Sequence, residues 1–520
     1  MLLTAIVFLP LVGGLIALVT PDRAAKWVAA VFTGAVFLLS LWLYFGLLGN
    51  GAPNFGSVTD PQWYISVPWI NTAIGTFHLK VNYALGADGL SMIMLILNGM
   101  LSFLAVIGSW KIEKRPRFYF AMLLILETGV MGVFAAFDLF LFILFWEIEL
   151  IPMFLLIGIW GGARREYAAW KFLLYTLVGS AFTLGGIFLL YFQAGGQSAA
   201  YQHLAEAGPK IAGTIPLFGA ALSMPVVIFI LICIAFAVKM PMWPVHTWLP
   251  DAHTEAPTAV SVLLAGILLK MGAYGLIRIG FGFLPQGLEP IAPWLGIIGA
   301  ISVLWGAGAS MVQHDMKRMI AYSSVSHMGY ISLGVAAAAV ATGANLASFR
   351  EAALTGAALQ MFAHGLITGM LFFCVGVLYE RAHTREIDVF GGIGKVMPVL
   401  MLLYSFACFT SLGLPGGAGF VAEYLTFTGS YATLPIQTIF AVFGVVLTAG
   451  YLLWMLKRSF YGVLNVKWAW LTDATLRERA ILVALALVIL LVGIYPAPFI
   501  DLLSPSLHHI LATAQSLAIR

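Results

Sequence analysis

Glu127, Glu147, Lys239, Lys270 and Glu423 each lie inside an apolar run long enough to cross a lipid bilayer, with Glu149, His327 and His364 as further polar insertions. A charge at the centre of a membrane helix costs about 2.5–3.5 kcal/mol, so five cost on the order of 15 kcal/mol, comparable to the net stability of a whole domain. Such groups either pair to clamp helices together or move charge. Burial and an opposite neighbour act on proton affinity in opposite senses. A buried acid–amine pair is therefore a switch, because moving or neutralising one partner changes how tightly the other holds its proton. Glu127 and Glu149 suit the clamping role as well as the transport role. Two residues turn a helix by about 200°, so Glu147 and Glu149 cannot share a face. The reading taken from the residues pairs Glu147 with Lys239 and relays a proton through Lys270, with His327 or His364, to Glu423.

The backbone around these side chains is expected to be irregular. Pro241, Pro244 and Pro250 follow Lys239, and each proline removes the helical bond to the carbonyl four residues earlier, freeing Ala237, Met240 and His246. Pro152 does the same to Ile148, next to Glu147. Before Glu423 the run Gly-Leu-Pro-Gly-Gly-Ala-Gly over 413–419 cannot continue a regular helix. Non-helical backbone at membrane depth is tolerated only where protein or a water-filled cavity satisfies it, so water is expected to reach these charges.

The elements that must position them follow from composition. Of 520 residues 61% are hydrophobic and 9% charged, against roughly 25% charged in a soluble domain, which excludes a water-soluble fold. Windows spanning about 30 Å at 1.5 Å per residue predict about fourteen transmembrane helices in an all-α polytopic protein: 2–20, 27–48, 90–110, 118–136, 139–160, 170–192, 224–239, 258–279, 294–312, 319–339, 352–379, a broken segment over 397–430, 436–456 and 480–495. The interrupted seventh and twelfth spans predict two inverted five-helix repeats, 118–280 and 294–456, inside a single membrane domain 1–520. Inverted repeats with broken helices are characteristic of secondary transporters.

Most of the 26 Lys and Arg fall in odd-numbered loops, leaving Lys80, Lys210, Arg278, Arg350 and Arg520 in even loops and the tail. By the positive-inside rule both termini then lie on the non-cytoplasmic side, and the net charge of +4 reflects basic loops rather than a nucleic-acid partner. The polar intervals 49–89 and 194–223 are expected to cap that side. The first span has no basic stretch ahead of it and reads as a retained helix. Three widely spaced cysteines form no CxxC pair, and the residues suggest no metal, haem, cluster or nucleotide site, so redox chemistry is expected outside this chain.

Three stretches carry a family resemblance: FWEIELIPMFLLIGIWGG over 145–162, FAVKMPMWPVHTWLPDAHTEAPTAVSVLLAGILLKMGAYGLIR over 236–278, and QHDMKRMIAYSSVSHMGY over 313–330. They resemble the antiporter-like subunits of respiratory complex I, the proton-pumping NADH:quinone oxidoreductase, and most closely the chain M type. The resemblance implies that Glu147 and Lys239 form the coupling pair, that His246 connects Lys239 to Lys270, the central relay, and that Glu423 faces the exit. Glutamate at position 423 matches chain M, since chains L and N carry lysine there. The chain also ends without the long lateral helix expected of chain L. Glu149 departs from many chain M sequences and is shared with cyanobacterial and plastid relatives. The resemblance further implies a prokaryotic cytoplasmic (inner) membrane, neighbouring membrane-arm subunits of the L and N type, and no cofactor in this chain, with FMN, iron–sulfur clusters, NADH and quinone in partner subunits. Mrp-type cation/proton antiporters and membrane-bound hydrogenases share much of the same pattern and form the alternative.

Overall fold

The computed structural model describes residues 1–49, 56–74, 77–217, 220–340 and 344–518. Among them ten helices are long and apolar enough to cross a membrane, or up to eleven when the pair Leu476–Ile494 and Ala497–Ser516, bent by 71°, is taken as one span. The ten fall where the sequence predicts spans one to six, eight, nine, eleven and thirteen. The remaining expected spans occupy helices that are short or rich in polar residues. Met224–Lys239 has 16 residues, Pro398–Ser411 and Ala418–Tyr431 have 14 each, and Met316–Ala339 is diluted by serines and His327. The count of fourteen thus exceeds what length and apolarity select.

Lipid exposure sorts the helices into two sets. Thr258–Phe281 and Ala347–Ala382 have fully buried apolar windows, whereas Leu2–Val19, Asp22–Gly46, Arg165–Gln193 and Pro435–Ser459 bury well under half of theirs. Trp27, Trp42, Trp170, Phe182, Phe443 and Val446 point outward from the second set. Lipid is as apolar as the core, so helices associate through close packing over small residues. Ala292–Met311 and Met316–Ala339 meet in this way, since a methyl on Gly329 would lie 2.6 Å from the Gly299 carbonyl oxygen.

The predicted caps contain structure that the sequence did not suggest. β1 (Gln62–Ile74) and β2 (Phe77–Ala87) form one antiparallel hairpin, and β3 (Thr214–Leu217) and β4 (Ala220–Ser223) a second. β2 runs into Asp88, whose carboxylate caps the Gly89–Gly108 helix at the Ser91 amide. Arg278 pairs with that carboxylate at 2.5 Å and is 1% exposed, which corrects its assignment to a loop: a π-helical turn, Leu276–Phe281, carries it inward to Asp88. The C-terminal helix Ala497–Ala518 crosses this end of the bundle, passing so close to Gly89 that a methyl there would overlap the Leu502 carbonyl.

Candidate functional site

Pro152 breaks the fifth span as expected, into Leu139–Ile148 and Leu150–Trp160, with Glu149 at the joint. Its start is fixed by Asp138, which lies between two spans and accepts from the amides of Phe140, Leu141 and Asn82. Burial pushes that carboxyl up to about 6. Along the broken span Leu144, Glu147 and Ile151 fall on the outer side, whereas Phe145, Trp146, Glu149 and Met153 are buried.

Lys239 Nζ donates to Glu149, with both side chains buried, and its ammonium also lies 5.5 Å and 5.3 Å from the ring centroids of Trp146 and Phe172. These rings favour the cation. The expected partner, Glu147, lies instead in an apolar groove of about 440 Å³ on the protein surface, lined by Phe140, Ile143, Leu144, Leu177, Ser180, Ala181 and Leu184. The pairing is corrected for the reason that kept the two acids off one face: the inward side of the helix carries Glu149. Gly129 on the neighbouring Pro116–Ala135 helix permits the contact, since a methyl there would sit 3.0 Å from the Glu149 amide nitrogen.

The helix of Lys239 ends immediately after it, and Met240–Thr247 forms no helix. Protein groups satisfy several of the freed carbonyls. Met242 N donates to Ala237, the Trp248 indole to Val238, and Leu249 N to His246. Lys239 is 0% exposed, so the break beside it is enclosed by protein. Gly272 sets the distance between the two lysine-bearing helices, because a methyl there would lie 2.7 Å from Met240 N and Phe236 O. Both are backbone atoms that cannot swing aside. Gly272→Ala is accordingly expected to destabilise the chain by about 1–3 kcal/mol, read as a lower thermal midpoint of the purified protein.

Lys270 follows a π-helical turn, Leu264–Leu268, in the middle of Thr258–Phe281. Such turns displace carbonyls from the regular ladder, and here Ala265 O accepts from Lys270 Nζ. The second partner is His364 Nδ1 at 2.6 Å. The rings of His364 and His327 stand 5.3 Å apart, and His327 Nδ1 is 3.3 Å from the carboxylate of Glu423. Gln360, Ser411, Ile367 and Gly419 close the cleft around the two histidines and Glu423, leaving it too tight for a water molecule. The glycine-rich break supplies the wall: Gly413 has φ +80°, and a methyl on it would meet Glu423 Oε2 at 2.8 Å. Imidazole can accept a proton on one nitrogen and release it from the other, so Lys270, His364, His327 and Glu423 form a file of groups able to pass one.

The other singled-out residues lie apart from this file. His246 Nε2 accepts from the Trp305 indole at 3.0 Å, and no hydrogen bond among the described residues ties it to Lys239 or Lys270. Glu127 is buried with neither oxygen partnered among the described residues. Sequence reasoning passed over two further groups. His253, the second histidine of HTWLPDAH, is 0% exposed and stacked on Phe372, and Lys317 is buried with Nζ donating to Ala256 O. The signal for His253 was a histidine seven residues after His246 within a proline-broken segment.

A helical membrane domain whose broken and π-distorted helices carry a buried acid–lysine pair and a lysine–histidine–glutamate file has the build of an antiporter-like membrane subunit. A family model described as "NADH:quinone oxidoreductase/Mrp antiporter, TM" matches residues 136–448. The NADH-quinone oxidoreductase subunit M of Rhodobacter capsulatus is 40% identical, over 98% of this chain and 96% of its own length. The NAD(P)H-quinone oxidoreductase chain 4 of Gloeobacter violaceus is 39% identical, over 97% and 91%. Among solved structures, a chain of respiratory complex I from Thermus thermophilus with bound NADH superimposes with a TM-score of 0.83 at 28% identity, covering 100% of this chain and 99% of that one. The chain belongs to the family of membrane subunits shared by NADH:quinone oxidoreductases and Mrp antiporters.

Proposed function

We infer that this chain is a proton-translocating, antiporter-like membrane subunit of NADH:quinone oxidoreductase, the chain M type of complex I. The observation that carries the reading is the pair Glu149–Lys239 followed by the file Lys270–His364–His327–Glu423 in a chain 40% identical over 98% of its length to a subunit M. Each proton moved against 100 mV requires about 2.3 kcal/mol. The drive therefore comes from partner subunits, which hold NADH, FMN, iron–sulfur clusters and quinone.

In this reading the short and polar helices join the ten long ones to make fourteen spans, arranged as inverted repeats over 118–280 and 294–456. Both termini lie on the non-cytoplasmic side of the prokaryotic inner membrane, as the basic loops favour. Glu149 replaces Glu147 as the partner of Lys239, and Glu147, an acid at membrane depth on an apolar surface, is covered by a neighbouring subunit of the L or N type. Neutralising either member of the pair alters the proton affinity of the other, which lets an event in a neighbour gate transfer into Lys270 and on to Glu423.

The test is deletion of this chain from its host membranes, with NADH-driven quinone reduction and vesicle acidification measured beside recovery of the partners of a tagged copy. Loss of NADH-driven acidification together with co-purification of NADH-oxidising subunits is expected. Unchanged NADH-driven acidification, with a cation/proton exchanger as the co-purifying assembly, would overturn the reading in favour of the Mrp branch of the family.

A further inference from the structure

Two segments, 22–26 and 111–117, together carry six basic side chains against two acidic ones. They bound an open cleft of about 440 Å³ between the start of the Asp22–Gly46 helix, the end of Gly89–Gly108 and the start of Pro116–Ala135. The charges around it do not balance. Asp22 is taken by Arg117 at 2.5 Å, and Lys111 by Glu380 at 2.7 Å. Glu113, the other acid at the cleft, is exposed. Arg23 and Lys26 line the same cleft and have no carboxylate partner among the described residues.

The half-buried Lys26 is nonetheless held in place. Its Nζ lies 5.2 Å from the centroid of the Trp110 ring, and Trp27 packs edge-on against that ring with centroids 4.7 Å apart. An aromatic face steadies an ammonium without supplying a counter-charge, so the cleft presents uncompensated positive charge at a fixed position. Lipid is the adjoining phase. Trp27 begins an outward-facing line with Val31 and Leu38, each more than half exposed, and spacings of four and seven keep all three on one side of the helix. Tryptophan at the start of a span sits at headgroup level. From Trp27 to Leu38 the line covers about 16 Å, matching the ~15 Å of hydrocarbon in one leaflet. A soluble anion would use the cleft and leave this apolar lane bare, whereas an amphiphile with an anionic head uses both.

We propose that the cleft binds the phosphate headgroup of an anionic phospholipid in the leaflet on the basic-loop side, with one acyl chain lying along Trp27, Val31 and Leu38. Basic pockets between membrane helices recognise such headgroups. Arg23 offers paired donors to two phosphate oxygens, and Lys26 a compact charge beside them. The bound lipid supplies the anion that Asp22, committed to Arg117, does not. It also ties the Asp22–Gly46 helix, which buries only 28% of its apolar window, to the 111–117 loop. Lipid binding here is independent of the proton-translocating reading.

The test is photo-crosslinking of the purified assembly with phosphatidylglycerol carrying a photoreactive group at its glycerol, the yield on segments 22–31 and 110–117 being followed against lipid concentration. Wild type is compared with Arg23→Gln/Lys26→Gln and with Lys395→Gln/Lys467→Gln, which removes the same charge from exposed positions outside the cleft. Each basic residue at an anionic lipid is worth about fivefold in affinity. The midpoint is therefore expected to rise at least about tenfold in the first double variant and to stay unchanged in the second. Unlabelled phosphatidylglycerol is expected to compete, and phosphatidylcholine or inorganic phosphate at matched ionic strength to compete poorly. A wild-type midpoint in Arg23→Gln/Lys26→Gln overturns the site. Equal competition by phosphatidylcholine reduces it to unselective lipid contact, and displacement by inorganic phosphate makes it a soluble-anion site; either overturns the proposal. If the double variant does not assemble, the exposed Arg23→Gln alone decides: a rise of about fivefold supports the site, and an unchanged midpoint overturns it.

Discussion

Lys239→Met is expected to lower stability by about 3–5 kcal/mol and NADH-driven acidification at least about tenfold, because it leaves Glu149 buried without its cation. The two losses have different causes and come apart in a second variant. Lys239→Met combined with Glu149→Gln removes both charges, and replacing a buried pair with neutral groups of similar volume is often neutral or stabilising. The thermal midpoint of the double variant is therefore expected to return toward wild type, whereas acidification stays lost, since neither remaining group exchanges a proton. Midpoint and acidification measured on one preparation check this. Recovery of both in the double variant would make the pair a clamp.

Glu423→Gln is expected to have the second largest effect. The amide still reaches His327, which holds the carboxylate at 3.3 Å, and still fits beneath the Gly413 turn, so assembly should persist. The group can no longer take a proton. Turnover is expected to fall at least about tenfold, equivalent to about 1.4 kcal/mol of barrier, with Glu423→Asp retaining more activity than Glu423→Gln. The check is NADH-driven quinone reduction per assembled complex; equal rates in the two variants would remove Glu423 from the path.

The two breaks at membrane depth were legible because proline and glycine act locally: Pro241 and Pro244 end the helix after Lys239, and Gly413 takes the positive φ that the turn around Glu423 needs. The same rule placed an interruption at Ile148, next to Glu147, through Pro152, and the joint falls at Glu149. The choice between Glu147 and Glu149 was not legible. In a soluble helix the polar side faces water, so the pattern orients it. Here the outer side carries Leu144 and Ile151 and the inner side Phe145 and Met153, equally apolar, because lipid and core make the same demand. The π-turn that brings the Ala265 carbonyl to Lys270 has no marker in the sequence, and neither does the partnering of Arg278 with Asp88, which depends on chain segments 190 residues apart. The hairpin of β1 and β2 was missed because Pro68, the register shift beside it and a second shift between Gln62 and Ile65 interrupt the alternation that signals a strand.

Lys270 opens the file that runs through His364 and His327 to Glu423, and its amine has only the Ala265 carbonyl and His364 as hydrogen-bond partners among the described residues. The most direct measurement is NADH-driven proton pumping and quinone reduction in membranes carrying Lys270→Met, with subunit content verified and NADH oxidation by an artificial acceptor as the control for the partner subunits. Pumping and quinone reduction are both expected to fall to about a tenth of wild type or less while the control is unchanged. Wild-type pumping in a fully assembled Lys270→Met complex would contradict that expectation, and the buried charges of this chain would then be structural.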